Sequence, residues 1–367
     1  MDILMIGGTG TISYDATCYF LEKGHNVYLL NRGNRNDLSH EHLHYIIGNA
    51  NNTENMKIAL DGMHFDVVLD FIIYTKAQLE KRVPIYNELC KQFIFISSAT
   101  VYAPTSKIIT ESSQLGNDKW YYSREKLECE NYLRANKDNF KFVYTIIRPY
   151  ITYDARRLPF PVITKGKYYS LIDRILKGKP VVICGDGNNK LTLTHTKDFA
   201  VALEGLLMNE KAANEEFHIT GDCVTNWNEI LSVISKNLNV SPTVVYIPVD
   251  ELAKYYPSER QELLYDKSGD HVFSNHKICS AVPDFKTTLT VEEGISQTVK
   301  NLINTENLHK IDEEWNAIID VVIEKYESSH GSVQHKASSQ SWRMYHRSQD
   351  KAWVFLRKVL KKLKIKI

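Results

Sequence analysis

The chain has six cysteines in 367 residues, and no two of them are spaced Cys-x-x-Cys. None sits with histidines at metal-ligand spacing, so the pattern argues against structural zinc and no metal is expected. The thiols read instead as reduced and mostly buried. The 13 histidines are dispersed, and the densest group, His40-Glu41-His42-Leu43-His44, reads as a solvated loop. No apolar run approaches the ~18 residues of a membrane span. No basic leader with a cleavage site precedes the first apolar segment, so the expected location is cytoplasmic. Internal repeats and low-complexity tracts are also missing. Neither charge sign dominates: 45 Lys and Arg face 44 Asp and Glu, which with 43% hydrophobic residues describes a packed globular protein.

That balance conceals an asymmetry. Residues 331–367 hold ten Lys or Arg and a single acid, Asp350, a net +9 that leaves −8 on residues 1–330 against the total of +1. An acidic body is a poor match for nucleic acid. Gln334 to Ser341 reads as a polar link to a basic tail. If 351–367 is helical, Trp353, Leu356, Leu360, Leu363 and Ile367 share one face with basic residues around them. Such a helix suits peripheral contact with an anionic membrane surface, such as the inner face of the plasma membrane, or docking on the acidic body or a neighbouring subunit.

The first 150 residues alternate strand and helix patterns. Strands are expected at 2–6, 26–30, 43–47, 65–73, 92–97 and 140–147, with helices at 11–23, 53–60, 76–91 and 119–136. This alternation predicts parallel βαβ units in a doubly wound α/β sheet, a Rossmann-type domain over 1–150. A helix at 197–209 and a strand at 216–219 return to it. Residues 151–195 and 221–310 form a smaller substrate-binding domain, followed by a helix at 311–330 and the tail at 331–367.

Two features carry chemistry. Gly7-Gly8-Thr9-Gly10 lies at the turn between the first strand and helix, where glycines let the backbone approach a pyrophosphate at a helix N-terminus. Ile96-Ser97-Ser98-Ala99-Thr100-Val101-Tyr102 follows the fifth strand, and Tyr122-Ser123-Arg124-Glu125-Lys126 lies 24 residues beyond Ser98. Tyr122 and Lys126, at i and i+4, fall on one helix face. A neighbouring ammonium and a cationic nicotinamide ring favour the phenolate, which suits Tyr122 to acid/base work near neutrality. Ser98 can hydrogen-bond the same substrate oxygen.

With Arg148-Pro149 and His195-Thr196-Lys197-Asp198-Phe199-Ala200 added, the chain resembles, over about residues 1–305, the extended short-chain dehydrogenase/reductase family of nucleotide-sugar epimerases, dehydratases and reductases. The resemblance implies catalysis by Ser98, Tyr122 and Lys126. It implies cofactor contacts at Gly7, Gly8, Thr9, Gly10, Thr11, Ile12, Asn31, Arg32, Arg35, Asn49, Phe71, Ile72, Ile73, Tyr122, Lys126, Arg148 and Pro149. Substrate contacts are expected at Thr75, Thr100, Tyr150, Tyr153, Arg156, Lys190, His195 and Lys267, and a homodimer as the assembly.

The chain departs from the family pattern at several positions. Ser13 stands at the third glycine. Ile72 and Ile73 are bulkier than the residues usual beside the cofactor. Ile151 replaces a common Asn, and Leu191 a common diphosphate-binding Arg, whose charge Lys190, Arg156, Arg157 or Lys267 would supply. Aromatic residues Tyr150, Tyr153, Tyr168, Tyr169 and Trp227 can stack a base or belong to the core. Asn31 and Arg32 close the second strand without a carboxylate for the ribose hydroxyls, which favours NADP(H) over NAD(H). Ser98-Ala99-Thr100 lacks the acid pair of the dehydratases. Two reactions stay open: NADPH-dependent reduction of a nucleotide-linked keto sugar or ketose, giving for instance an activated alditol for surface polysaccharide, and 4-epimerisation on tightly held NAD. A different class, a non-catalytic dinucleotide-sensing or RNA-binding module, is opposed by the retained Ser98, Tyr122 and Lys126.

Overall fold

The computed structural model describes residues 1–33 and 38–350. The chain divides into two compact units. The first comprises Met1–Asp154, Lys190–Thr225 and Asp270–Gly294; the second comprises Ala155–Asn189, Asn226–Gly269 and the chain from Ile295 onward.

In the first unit the elements run β1 (Asp2–Ile6), α1 (Thr11–Glu22), β2 (Asn26–Asn31), β3 (Leu43–Ile47), α2 (Thr53–Ala59), β4 (Phe65–Asp70), α3 (Lys76–Leu89), β5 (Cys90–Ile96), α4 (Tyr121–Ala135), β6 (Val143–Pro149), α5 (Thr196–Glu204) and β7 (Glu215–Ile219). Among the described residues these seven strands make one wholly parallel sheet in the order β7-β6-β5-β4-β1-β2-β3. It is the Rossmann-type α/β architecture expected from the alternating pattern. Helices cover both faces, which explains why β1, β4 and β5 are apolar runs instead of alternating ones. Ile3, Met5, Val27, Leu29, Val67 and Leu69 pack with Phe20 of α1 and Phe199 and Leu203 of α5 on one side. Leu4, Ile6, Val68, Phe93 and Phe95 pack with Met56, Leu79, Val83 and Leu133 on the other. Strand order reverses between β1 and β4, so the loops leaving their carboxyl ends part and open a crevice.

Several boundaries differ from the sequence pattern; the strand expected at 140–147, for instance, is Val143–Pro149. Strand β4 stops at Asp70 instead of 73, because the Asp70 carboxylate turns inward: it accepts from the Ile72 N–H at 2.8 Å and the Tyr86 hydroxyl at 2.6 Å, and pairs with Arg82. The helix expected at 197–209 ends at Glu204. The link expected at 334–341 is partly helical: Ser338 caps a helix over Ser339–Gln349, accepting from the Ser341 N–H at 3.0 Å. In the second unit that helix is tied down by Tyr345, whose hydroxyl donates to the Tyr255 carbonyl at 2.7 Å, and by the Trp342 indole N–H, which donates to Glu324 at 3.0 Å. The basic stretch 351–367 lies outside the described residues.

Candidate active site

The loop after β1 is shaped by what surrounds it. Gly7 has φ +85°, and a Cβ there would stand 2.7 Å from Ile72 Cγ2; at Gly8 it would stand 2.4 Å from Leu29 Cδ2. Both positions need glycine. Gly10 caps α1 in an extended conformation, and the first turn of α1 carries no acid, so its N–H groups present an uncompensated positive end. Ser13, 1% exposed, does more than tolerate its position. Its hydroxyl donates to the Gly7 carbonyl at 2.7 Å and accepts from the Gly10 N–H at 2.8 Å, closing the loop on itself.

Beside this loop lies a cleft of about 630 Å³. Of the expected cofactor residues, Gly7, Thr9, Gly10, Asn31, Arg32, Asn49 and Ile72 line it. Arg32 is the only charged residue in the lining among the described residues; Arg35 lies outside them. The structure does not bring the rest of the expected set to the cleft wall. Gly8 is turned to Leu29, Ile12 and Phe71 pack against the core, Ile73 is fully buried, and Thr11 sits in the first turn of α1. Asn51, Tyr74 and Gln78 line the cleft without having been expected. A run of asparagines after β3 was the one available signal for Asn51. Thr75, expected at substrate, instead caps α3: its hydroxyl accepts from the Gln78 N–H at 3.3 Å while Gln78 Oε1 accepts from the Thr75 N–H at 3.2 Å. The glycine cradle, the positive end of α1 and the adjoining cleft together fit a dinucleotide.

At the end of β5, Ser98 is extended, and its Oγ accepts from the Thr100 N–H at 3.3 Å and the Thr100 hydroxyl at 3.0 Å. The Ser123 hydroxyl donates to the Thr100 carbonyl at 2.6 Å, pinning the start of α4 to this turn. Lys126 is 2% exposed and donates to the Ile73 carbonyl at 2.6 Å and the Ile96 carbonyl at 2.7 Å, spanning the loops that leave β4 and β5. Its ammonium lies 5.9 Å from the Tyr122 ring centre, 5.1 Å from Tyr74 and 5.0 Å from Phe95. Burial pulls the Lys126 pKa down to about 8. Tyr122 is half-buried, its ring 5.4 Å from Trp120.

Residues 3–220 match the NAD dependent epimerase/dehydratase family. The chain belongs to that family. The extended short-chain dehydrogenase/reductase resemblance read from the motifs is thereby borne out. The chain is 26% identical over 315 residues to chloroplast stem-loop binding protein of 41 kDa b from Arabidopsis thaliana, covering 81% of this chain and 78% of that protein. Its fold is similar to that of epimerase Mth375 from Methanothermobacter thermautotrophicus, with TM-score 0.69 and 18% identity over 84% of this chain and 94% of that one. It is also similar to UDP-glucuronic acid 4-epimerase from Bacillus cereus in complex with NAD, with TM-score 0.66 and 20% identity over 84% and 100%.

In this family member several expected contacts are structural. Arg148, fully buried, donates to Glu130 at 3.0 and 2.7 Å and to the Tyr102 hydroxyl at 2.8 Å; Ser97 donates to the same Glu130 at 2.6 Å. Its guanidinium therefore braces the strand ends instead of reaching the cleft. Pro149, its neighbour, is half-buried at the end of β6. Tyr150 (3% exposed) stacks on His271 at 5.0 Å, and Tyr153 (2%) meets His195 edge-on at 5.1 Å, which makes them core residues. His195 is buried as well, with Nδ1 accepting from the Lys197 N–H at 3.2 Å, and burial lowers its pKa. Lys190 is exposed, and its amide donates to Asp270 at 2.8 Å. Thr100 stays with Ser98. In the second unit Arg156 is half-buried, whereas Lys267 is buried against Asp266, with Glu262 at 3.7 Å, and these carboxylates raise its pKa. Trp227 is in the core, and Tyr169 stacks on His309 at 4.1 Å.

Proposed function

We propose that the chain is an NAD(P)-dependent oxidoreductase acting on a nucleotide-activated sugar, with Ser98, Tyr122 and Lys126 as its catalytic residues. The observation that carries this reading is Tyr122 and Lys126 on one face of α4, tied through Ser123 to the Ser98 turn, with the Lys126 ammonium 5.1 Å from the ring centre of the cleft-lining Tyr74. Gly7, Thr9 and Gly10 would hold the pyrophosphate and Asn31, Asn49 and Arg32 the adenosine end. A bound nicotinamide supplies the hydride, or takes it up. Tyr122 Oη gives a proton to the substrate carbonyl oxygen in reduction and removes one in oxidation. The Ser98 hydroxyl donates to that oxygen and fixes its direction. The Lys126 ammonium, held by two carbonyls, lowers the cost of the phenolate next to it.

Arg32, with no carboxylate in the cleft lining beside it, favours a 2′-phosphate, and hence NADP(H). A cofactor that exchanges suits the reductase, a cytoplasmic enzyme supplying a surface polysaccharide, over the 4-epimerase. Among the described residues no helix is long and apolar enough to cross a membrane. The deciding experiment incubates the protein with NADPH or NADH and UDP-, CDP-, GDP- and dTDP-linked sugars. Net NADPH consumption supports the reductase. Isomerised product without net consumption supports the epimerase. Inertness toward every sugar, combined with RNA binding, supports the non-catalytic class toward which the name of the Arabidopsis relative points.

A further inference from the structure

Trp120 opens α4 at a position that favours Ser, Thr, Asp or Asn, whose oxygens accept from the free N–H groups of the first turn. Its backbone is extended (φ −104°, ψ 116°) and its side chain makes no capping hydrogen bond. Helix chemistry therefore gives no reason for an indole there. The backbone is anchored on both sides: the Trp120 N–H donates to the Asn117 carbonyl at 3.4 Å, and its own carbonyl accepts from the Arg124 N–H at 3.0 Å. Its ring centre lies 5.4 Å from that of Tyr122, with the planes inclined at 49°.

The other described tryptophans have evident packing roles. Trp227 and Trp315 are buried in the core, and Trp342 bonds Glu324 with the Lys325 ammonium 5.5 Å from its ring. Trp120 is half-buried and stands two residues before Tyr122, which is itself half-buried, and its ring partner is Tyr122. A sugar ring has a hydroxyl edge and faces of C–H bonds. A broad aromatic surface with a negative π face covers such a C–H face while leaving the hydroxyls free, and indole offers the largest such surface.

We propose that Trp120 is a substrate-binding residue whose indole packs against the C–H face of the sugar ring that presents its oxygen to Tyr122. This rests on the reading that Tyr122 is the acid/base.

The test compares Trp120→Ala, Trp120→Phe and Tyr122→Phe with the wild type on whichever nucleotide sugar of the panel turns over best. The expected result is a KM raised about tenfold in Trp120→Ala and about threefold in Trp120→Phe, with kcat held within about twofold. The change in tryptophan fluorescence on adding that sugar should disappear in both. Trp120→Phe keeps a ring in place and guards against loss of folding, which thermal melts check. An unchanged KM overturns the proposal, as does a fall in kcat at constant KM, which would mean that the ring only steadies Tyr122. Full activity in Tyr122→Phe overturns the parent reading, whatever Trp120 does. A wild type that neither binds nor converts any panel sugar overturns both.

Discussion

At the residue scale, the Lys126 ammonium proposed to support catalysis is also a cost to the fold. A buried ammonium costs stability, and its pKa of about 8 sits well under the ordinary 10.5. The unfolded chain therefore binds the proton more tightly, so the cost is fully present below pH 8 and fades as pH rises toward 10.5. Lys126→Met is expected to be inactive yet more stable at pH 7, by on the order of 2 kcal/mol, with the gain shrinking by pH 10. Denaturant titrations at the two pH values check this. In the wild type, activity that needs the ammonium should fall on an alkaline limb near pH 8, read from kcat/KM. Tyr122→Phe removes the hydroxyl proposed as the proton donor with little change in packing, and its kcat should drop about 10²–10⁴-fold at unchanged melting temperature. Both expectations concern groups whose spacing was legible in the chain, since i and i+4 on a helix is a local relation.

At the element scale, the turn from β1 into α1 depends on Ser13 as much as on its glycines. Ser13→Ala removes the hydroxyl that both donates to Gly7 and accepts from Gly10. Two lost bonds near a buried turn predict about 1–3 kcal/mol of destabilisation and a higher KM for the dinucleotide. Ser13→Gly should behave like the alanine, not like a repaired fingerprint, and an increase in cofactor affinity in that variant would refute this account. The sequence indicated that a small residue belonged there; it carried no sign of a closed hydrogen-bonded loop, because the partners are carbonyl and amide groups without side-chain identity. The segment 351–367 poses a separate question at this scale. Its basic and apolar composition predicts sedimentation with anionic liposomes that is lost when 351–367 are removed, and equal sedimentation of the shortened chain would exclude a membrane role.

Across the whole molecule, a buried polar chain links elements far apart in sequence. Ser97 and Arg148 meet at Glu130, Arg148 reaches Tyr102, and the Tyr102 hydroxyl lies 3.1 Å from His218 Nδ1. His218 Nε2 lies 2.6 Å from the Ser274 carbonyl, so Nε2 carries the hydrogen and Nδ1 accepts from Tyr102. Burial lowers the pKa of His218, as it does that of His195. Each group is neutral in the fold and takes up a proton more readily when unfolded. Stability from this source is present above about pH 6.5 and is lost as pH falls below it. Replacing His218 with Asn and His195 with Gln should flatten the acid limb of the melting-temperature profile, even where the variants are less stable at pH 7.

The order of strands and helices, the glycine turn and the pairing of Tyr122 with Lys126 were determined by the sequence itself, because periodicity and short spacing act through neighbouring backbone. Which polar residues meet solvent was not. Arg148, Tyr150, Tyr153, His195 and Lys267 look like ligand contacts in one dimension, and packing buries every one of them. Tyr74 and Gln78 look like ordinary helix-entry residues and yet line the cleft. A side chain is exposed or covered according to what crosses over it from remote parts of the chain, and only the tertiary structure decides that.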